Sequence, residues 1–109
     1  MPKAVMVVQS RPVTAEREHE YNKWYDETHV PELCGLPGIV SARRFRLSET
    51  QGVPPEPSTH EYLAIYEIDT DDLQTVVDAL NAGVGGGSIH MTDAIQLDPM
   101  PAVALYEQL

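Results

Sequence analysis

The stretch HEYLAIYEID, residues 60–69, restricts the fold more than any other part of this chain. Side chains alternate across a strand, so Leu63 and Ile65 share one face while Tyr62, Ala64, Tyr66 and Ile68 share the other. Both faces are apolar. AVALYEQ, residues 102–108, repeats the pattern, with Val103 and Leu105 opposed to Ala102, Ala104 and Tyr106. A sheet built from such strands needs cover on both sides.

The remaining segments supply cover for only one side. Residues 4–9 are rich in valine and read as a first strand, closed by the Arg11-Pro12 step. Thr14 stands where an N-cap belongs. After it, AEREHEYNKWYDETHVPEL places Tyr21, Trp24, Tyr25 and Thr28 on a stripe of helical period, an amphipathic helix. Pro31, Gly35, Pro37 and Gly38 end that helix between Val30 and Leu33. IVSARRFRL, from Ile39, is a second strand, and SETQGVPPEPST is an exposed connection to the third. Asp69, Thr70 and Asp71 offer caps for a second helix with Leu73, Val76, Val77 and Leu80 on one stripe and Gly83 as its stop. IHMTDAIQLDPMP, residues 89–101, fits no element. The order is β-α-β-β-α-β: an α+β, ferredoxin-like chain with a four-stranded antiparallel sheet. Its uncovered face is expected to meet a second copy, burying ~800 Å² per partner in a homodimer or a larger assembly.

A length of 109 residues fits one domain, residues 1–109. Seventeen acidic against seven basic side chains give a net charge of -10, which argues against nucleic acid and anionic membranes as partners. The apolar run Ala4 to Val8 is too short for a leader or a membrane span, and the lone Cys34 has no internal disulfide partner, so a cytoplasmic address is expected. GVGGGS, residues 83–88, lacks the lysine of a phosphate-binding loop and reads as a connector or a flexible lid. His60 and His90 are isolated and no H-E-x-x-H or C-x-x-C pattern exists, so neither a metal nor another cofactor is expected. His90, just past the glycine run, is placed to reach a pocket mouth. His19 reads as solvent-facing.

Reactive side chains concentrate in YNKWYDETHVPEL, residues 21–33. On a helix Tyr25 and Asp26 lie four and three residues before His29, so all three meet near the C-terminal turn. A carboxylate on one imidazole nitrogen fixes the tautomer and raises basicity at the other, which suits proton abstraction near neutral pH. The competing reading is a histidine that caps the last helical carbonyls. Arg43 and Arg44 fall on opposite faces of the second strand, and a one-residue register shift exchanges them. If Arg44 faces inward it requires an anionic ligand or a carboxylate such as Asp26, the latter a strand-to-helix salt bridge. Tyr62 and Tyr66 serve either as pocket lining or as core packing.

The run WYDETHVPEL followed by LPGIVSARRFRL resembles the EthD-type family of the dimeric α/β barrel superfamily. The likeness falls on Trp24, Tyr25, Asp26, His29, Pro31, Pro37, Gly38 and Arg44. It implies a ferredoxin-like protomer paired through its sheet, with a small pocket between sheet and helices in each subunit. Relatives in that superfamily include polyketide cyclases, lactone isomerases, dehydratases and cofactor-free monooxygenases. The resemblance names the scaffold better than the reaction. With no metal or nucleotide motif, the chemistry left to an imidazole, a carboxylate and tyrosines is proton transfer. The expectation is a cofactor-independent enzyme, of lyase or isomerase type, acting on a small apolar carbonyl- or phenol-bearing metabolite. His29 would transfer the proton and Asp26 would orient it, with Trp24, Tyr25, Arg44, Tyr62, Tyr66 and His90 as candidate substrate contacts. Cofactor-free oxygenation and non-catalytic ligand binding are the alternatives.

Overall fold

Each apolar alternation in the sequence becomes a strand. β1 (Lys3–Ser10), β2 (Ile39–Arg46), β3 (Tyr62–Asp69) and β4 (Ala102–Glu107) form one sheet in the order β2-β3-β1-β4, with every neighbouring pair antiparallel. The structure is a computed structural model and describes residues 3–56, 59–98 and 100–109. The expectations for the chain start at Met1 and Pro2, for Pro57 and Ser58 of the loop, and for Pro99 lie outside the described residues.

The first helix is continuous but not uniform. A 3-10 turn (Ala15–Arg17) leads into α1 (Glu18–Trp24), then a π-helical turn (Tyr25–His29), then α2 (Val30–Cys34). Tyr21, Tyr25, His29 and Leu33 recur every four residues. In a helix of 3.6 residues per turn such a spacing drifts by about 40° per step, and one wider turn offsets the drift. The Val30 amide reaches back to the Tyr25 carbonyl, a five-residue span that carries the chain past Pro31. The helix therefore ends at Cys34, later than its prolines and glycines imply. Thr14 holds the N-cap position as expected, extended and with its carbonyl accepting from the Arg17 amide at 3.2 Å, although its side chain makes no capping bond.

α3 (Leu73–Gly86) begins at Asp72, whose carboxylate accepts from the Gln74 amide at 3.1 Å; Asp69, Thr70 and Asp71 precede the cap. The helix does not stop at Gly83. A Cβ there would stand 2.5 Å from Ile89 Cδ1, so the glycine admits Ile89 against the helix rather than ending it. Gly87, at φ 82°, closes α3 instead.

Residues 89–98, unassigned from sequence, return across the molecule as a strap. Pro12 and Ile95 form an isolated antiparallel bridge, the Val13 amide donates to the Ala94 carbonyl at 2.6 Å, and the Gln96 amide to Arg11 at 2.9 Å. Ile89, Ala94 and Ile95 are buried beneath it.

Helices and strap share one face of the sheet. Tyr62, Ala64, Tyr66 and Ile68 are all buried there with Tyr21, Tyr25, Leu33 and Val76, whereas Leu63 and Ile65 on the other face are only half-buried. Phe45 and Tyr106 on that second face are exposed. No helix among the described residues is long and apolar enough to cross a membrane.

Candidate active site

A cavity of about 320 Å³ lies between the helices and the β1–β4 half of the sheet. Met6 and Val8 of β1 and Val103 of β4 form its floor. Trp24, Tyr25, His29 and Leu33 make one wall, Leu80, Asn81 and Val84 of α3 a second, and Met91, Ile95, Leu97 and Met100 close the end nearest the strap. Apart from His29 and Asn81 this lining is apolar or aromatic. No carboxylate, lysine or arginine reaches it among the described residues.

The π-helical turn delivers His29 to that wall, and such turns recur at functional positions. The imidazole stacks on Trp24, with ring centroids 4.5 Å apart and planes inclined by 25°, and meets Tyr25 edge-on at 5.3 Å and 86°. Its Nδ1 is enclosed with no hydrogen-bond partner among the described residues. Burial pushes the pKa down to about 4, and the charge of Glu32 only partly opposes the shift. His29 is thus a neutral imidazole at physiological pH. The helix runs past it, which removes the carbonyl-capping reading.

Asp26 does not orient His29. Its Oδ1 accepts from Arg44 Nη1 at 2.8 Å, because a full cation is the stronger partner for a carboxylate than a neutral, desolvated ring. Arg44 Nη2 donates to Asn22 at 2.8 Å, and the guanidinium lies 4.3 Å above the Tyr25 ring centroid. Register settles the arginine ambiguity: Arg44 pairs across from Ala64 on the helix face, while Arg43 opposes Ile65 on the uncovered face and bonds Glu67 at 2.8 Å. Arg44 is the strand-to-helix tie, seated behind Tyr25 and outside the cavity lining.

Three further candidates also miss the cavity. Tyr62 donates to Glu18 at 2.8 Å and accepts from Asn22 at 3.3 Å. Tyr66 is fully buried and its hydroxyl has no hydrogen-bond partner among the described residues, so burial first, and neighbouring Tyr25 second, drive its pKa far upward. His90 turns outward: its amide and Nδ1 contact Glu32 at 2.7 and 2.5 Å, and its carbonyl accepts from Trp24 Nε1 at 2.9 Å. These bonds pin the strap to the helix that carries His29. Asn81, Met91 and Met100 also line the cavity. Met91 and Met100 sit among the apolar members of the unassigned residues 89–101, the one signal that could have found them, and nothing local marks Asn81.

The buried phenols make a test of this polar core. Tyr21 Oη and Ser10 Oγ share a hydrogen bond at 2.5 Å, both enclosed. Tyr21→Phe is expected to cost about 1 to 3 kcal/mol by stranding Ser10, whereas Tyr66→Phe removes an unpaired hydroxyl and is expected to be neutral or to stabilise by roughly 1 kcal/mol. Urea denaturation of both variants checks the contrast.

Among the described residues no group of three or more His, Cys, Asp or Glu side chains is gathered to hold a metal ion. A second hollow, of about 460 Å³, opens where Val5, Val40, Glu67 and Tyr106 meet at the end of the sheet. Its described lining holds Lys3 with Glu67, Asp69 and Glu107, but no imidazole.

No family model and no curated protein matches the sequence. Solved structures do match the fold. An ethyl tert-butyl ether D (EthD) family protein of Bacillus halodurans C-125 aligns over 100% of both chains at 18% identity with a TM-score of 0.62. The chain has the EthD-like fold. An EthD-like protein of Ralstonia eutropha JMP134 aligns over 96% of this chain and 90% of its own at 15% identity and a TM-score of 0.58. A "putative monooxygenase" of Shewanella loihica PV-4 aligns over 100% of this chain and 97% of its own, at 14% identity and 0.61. Within the EthD-like fold, the His29 cavity occupies the space between sheet and helices.

Proposed function

We propose that the cavity binds a small, flat, largely apolar molecule bearing a carbonyl or phenol, and that His29 moves a proton on it. The observation that carries this reading is the neutral, partly enclosed imidazole in a wall otherwise built of aromatic and aliphatic groups. Burial that destabilises the free imidazolium also makes an ion pair favourable: when a carbon acid or phenol gives its proton to His29, the new anion stands beside the new cation against an apolar wall. Trp24 and Tyr25 hold the ring plane while the proton is taken and returned. Return of the proton to another atom of the ligand gives isomerisation, and loss of a hydroxide equivalent gives dehydration.

The test uses 2-tetralone, a fused-ring ketone with acidic α-hydrogens. The protein is expected to speed deuterium uptake from D₂O into that position, measured by proton NMR. Exchange no faster than in buffer, with the ketone shown to bind, would leave a ligand-binding protein and no catalyst.

A second reading is oxygenation of an electron-rich phenol without added cofactor. It is supported by the Trp24–His29 stacked surface and by the description of the Shewanella loihica protein that shares the fold. Oxygen uptake with 1-naphthol in an electrode chamber separates it from proton transfer alone.

The reading extends to assembly. Val5, Val7, Leu63, Ile65 and Phe45 present an apolar surface that the described residues leave partly open, and a second copy supplies matching cover. Sedimentation is expected to give a dimer, and Ile65→Glu to shift it toward monomer. A monomeric wild-type species at micromolar concentration would remove this part of the reading.

A further inference from the structure

We infer that Asn81 is a second anchor for the ligand, and that with His29 it selects uncharged molecules carrying two hydrogen-bonding oxygens on one flat frame. The inference rests on the cavity being a ligand site, as proposed above.

Asn81 and His29 are the polar side chains among the described lining, and they stand on different elements: one on α3, the other on the π-helical turn. Leu80 and Val84 flank Asn81 on the same wall. Among the described residues the exposed Asn81 amide makes no hydrogen bond, in contrast to Asn22, whose amide is committed to Tyr62 and Arg44. An amide offers two donors and an acceptor at once, so it serves a carbonyl or a hydroxyl equally. It offers nothing to balance a full charge. With no cation in the described lining and a chain charge of -10, a carboxylate or phosphate pressed against this apolar wall would give up part of its hydration with nothing to offset the loss. The stacked Trp24 and His29 rings favour a planar frame between the two anchors.

The lone tryptophan, Trp24, lies in the wall and reports occupancy by its fluorescence. Wild type and Asn81→Leu are titrated with 1-naphthol and with 1,5-dihydroxynaphthalene. Asn81 is exposed, so the substitution leaves the core intact. The expected result is a roughly threefold to tenfold loss of affinity for the dihydroxy compound and less than twofold for 1-naphthol. Equal losses for both probes, or none for either, would overturn the anchor while leaving the cavity a binding site. Absence of binding by wild type to both probes would overturn the cavity reading and this inference with it.

Discussion

His29→Gln is expected to lower the rate of deuterium exchange into 2-tetralone by about 10²- to 10⁴-fold, the usual worth of a positioned acid-base group, with ligand affinity within a few fold of wild type. Glutamine keeps a comparable bulk beside Trp24 and Tyr25 but cannot take a proton near neutrality. A matching pH signature follows from the pKa of about 4 that burial imposes. The base is active when neutral, so kcat/KM for exchange should stay level from pH 7 down to about 5 and fall only near 4. An ordinary histidine would lose activity around 6.5. Stability carries the same mark with a defined sign. Below about pH 6.5 the unfolded chain protonates this side chain while the native chain resists until about 4, so the unfolded state binds more protons and stability falls as pH falls across that window. The loss attributable to His29 reaches at most about 3 kcal/mol at the acid end. Other groups shift too, so the difference between wild type and His29→Gln isolates it. Urea midpoints at pH 7.5 and 4.5 that move in parallel for the two proteins would contradict a buried neutral imidazole.

Gly38→Ala is expected to cost about 2 to 4 kcal/mol, or roughly 10 to 20 °C in Tm for a chain of this size. Two separate effects add. Gly38 adopts φ 91°, where an L side chain is strained, and a Cβ at this position would approach Val76 Cγ2 to 2.8 Å. Val76 is buried, so it has little room to retreat. The turn also holds Asp69, whose amide donates to the Gly38 carbonyl at 2.8 Å, so a shifted turn disturbs the start of β2 and the end of β3 together. The two contributions can be separated. In a Val76→Ala background the contact is relieved and only the dihedral cost, about 1 to 2 kcal/mol, should remain. Thermal melts of the four proteins in that cycle decide it, and an additive cycle would show that the contact with Val76 carries no energy.

The sheet was legible because its evidence is local and repeated. Tyr62, Ala64, Tyr66 and Ile68 alternate with Leu63 and Ile65 in the sequence and again in the burial of β3. Asp26 was misplaced for a reason that spacing cannot reveal. Three-residue separation brought it near His29, but Arg44 arrives from a strand eighteen residues later and holds the carboxylate. Thr14 marked its helix start correctly, whereas Gly83, an equally good local candidate for a helix end, is used to admit Ile89 and the helix runs on to Gly86. His90 was placed at the cavity by its position after the glycine run, yet the carboxylate of Glu32, far away in sequence, turns its ring outward. The strap escaped altogether, since residues 89–98 have neither period, and their order comes from backbone bonds to Arg11 and Val13.

The π-helical turn at Tyr25–His29 also acts as a phase control. A segment one residue shorter there would close into an ordinary α-helical turn, with Tyr21 upstream and Leu33 downstream keeping their seats while a different side chain looked into the hollow. In a protein built this way, the reactive group facing the ligand can be exchanged by gaining or losing a single residue, with the floor of the hollow and the pairing of its strands untouched.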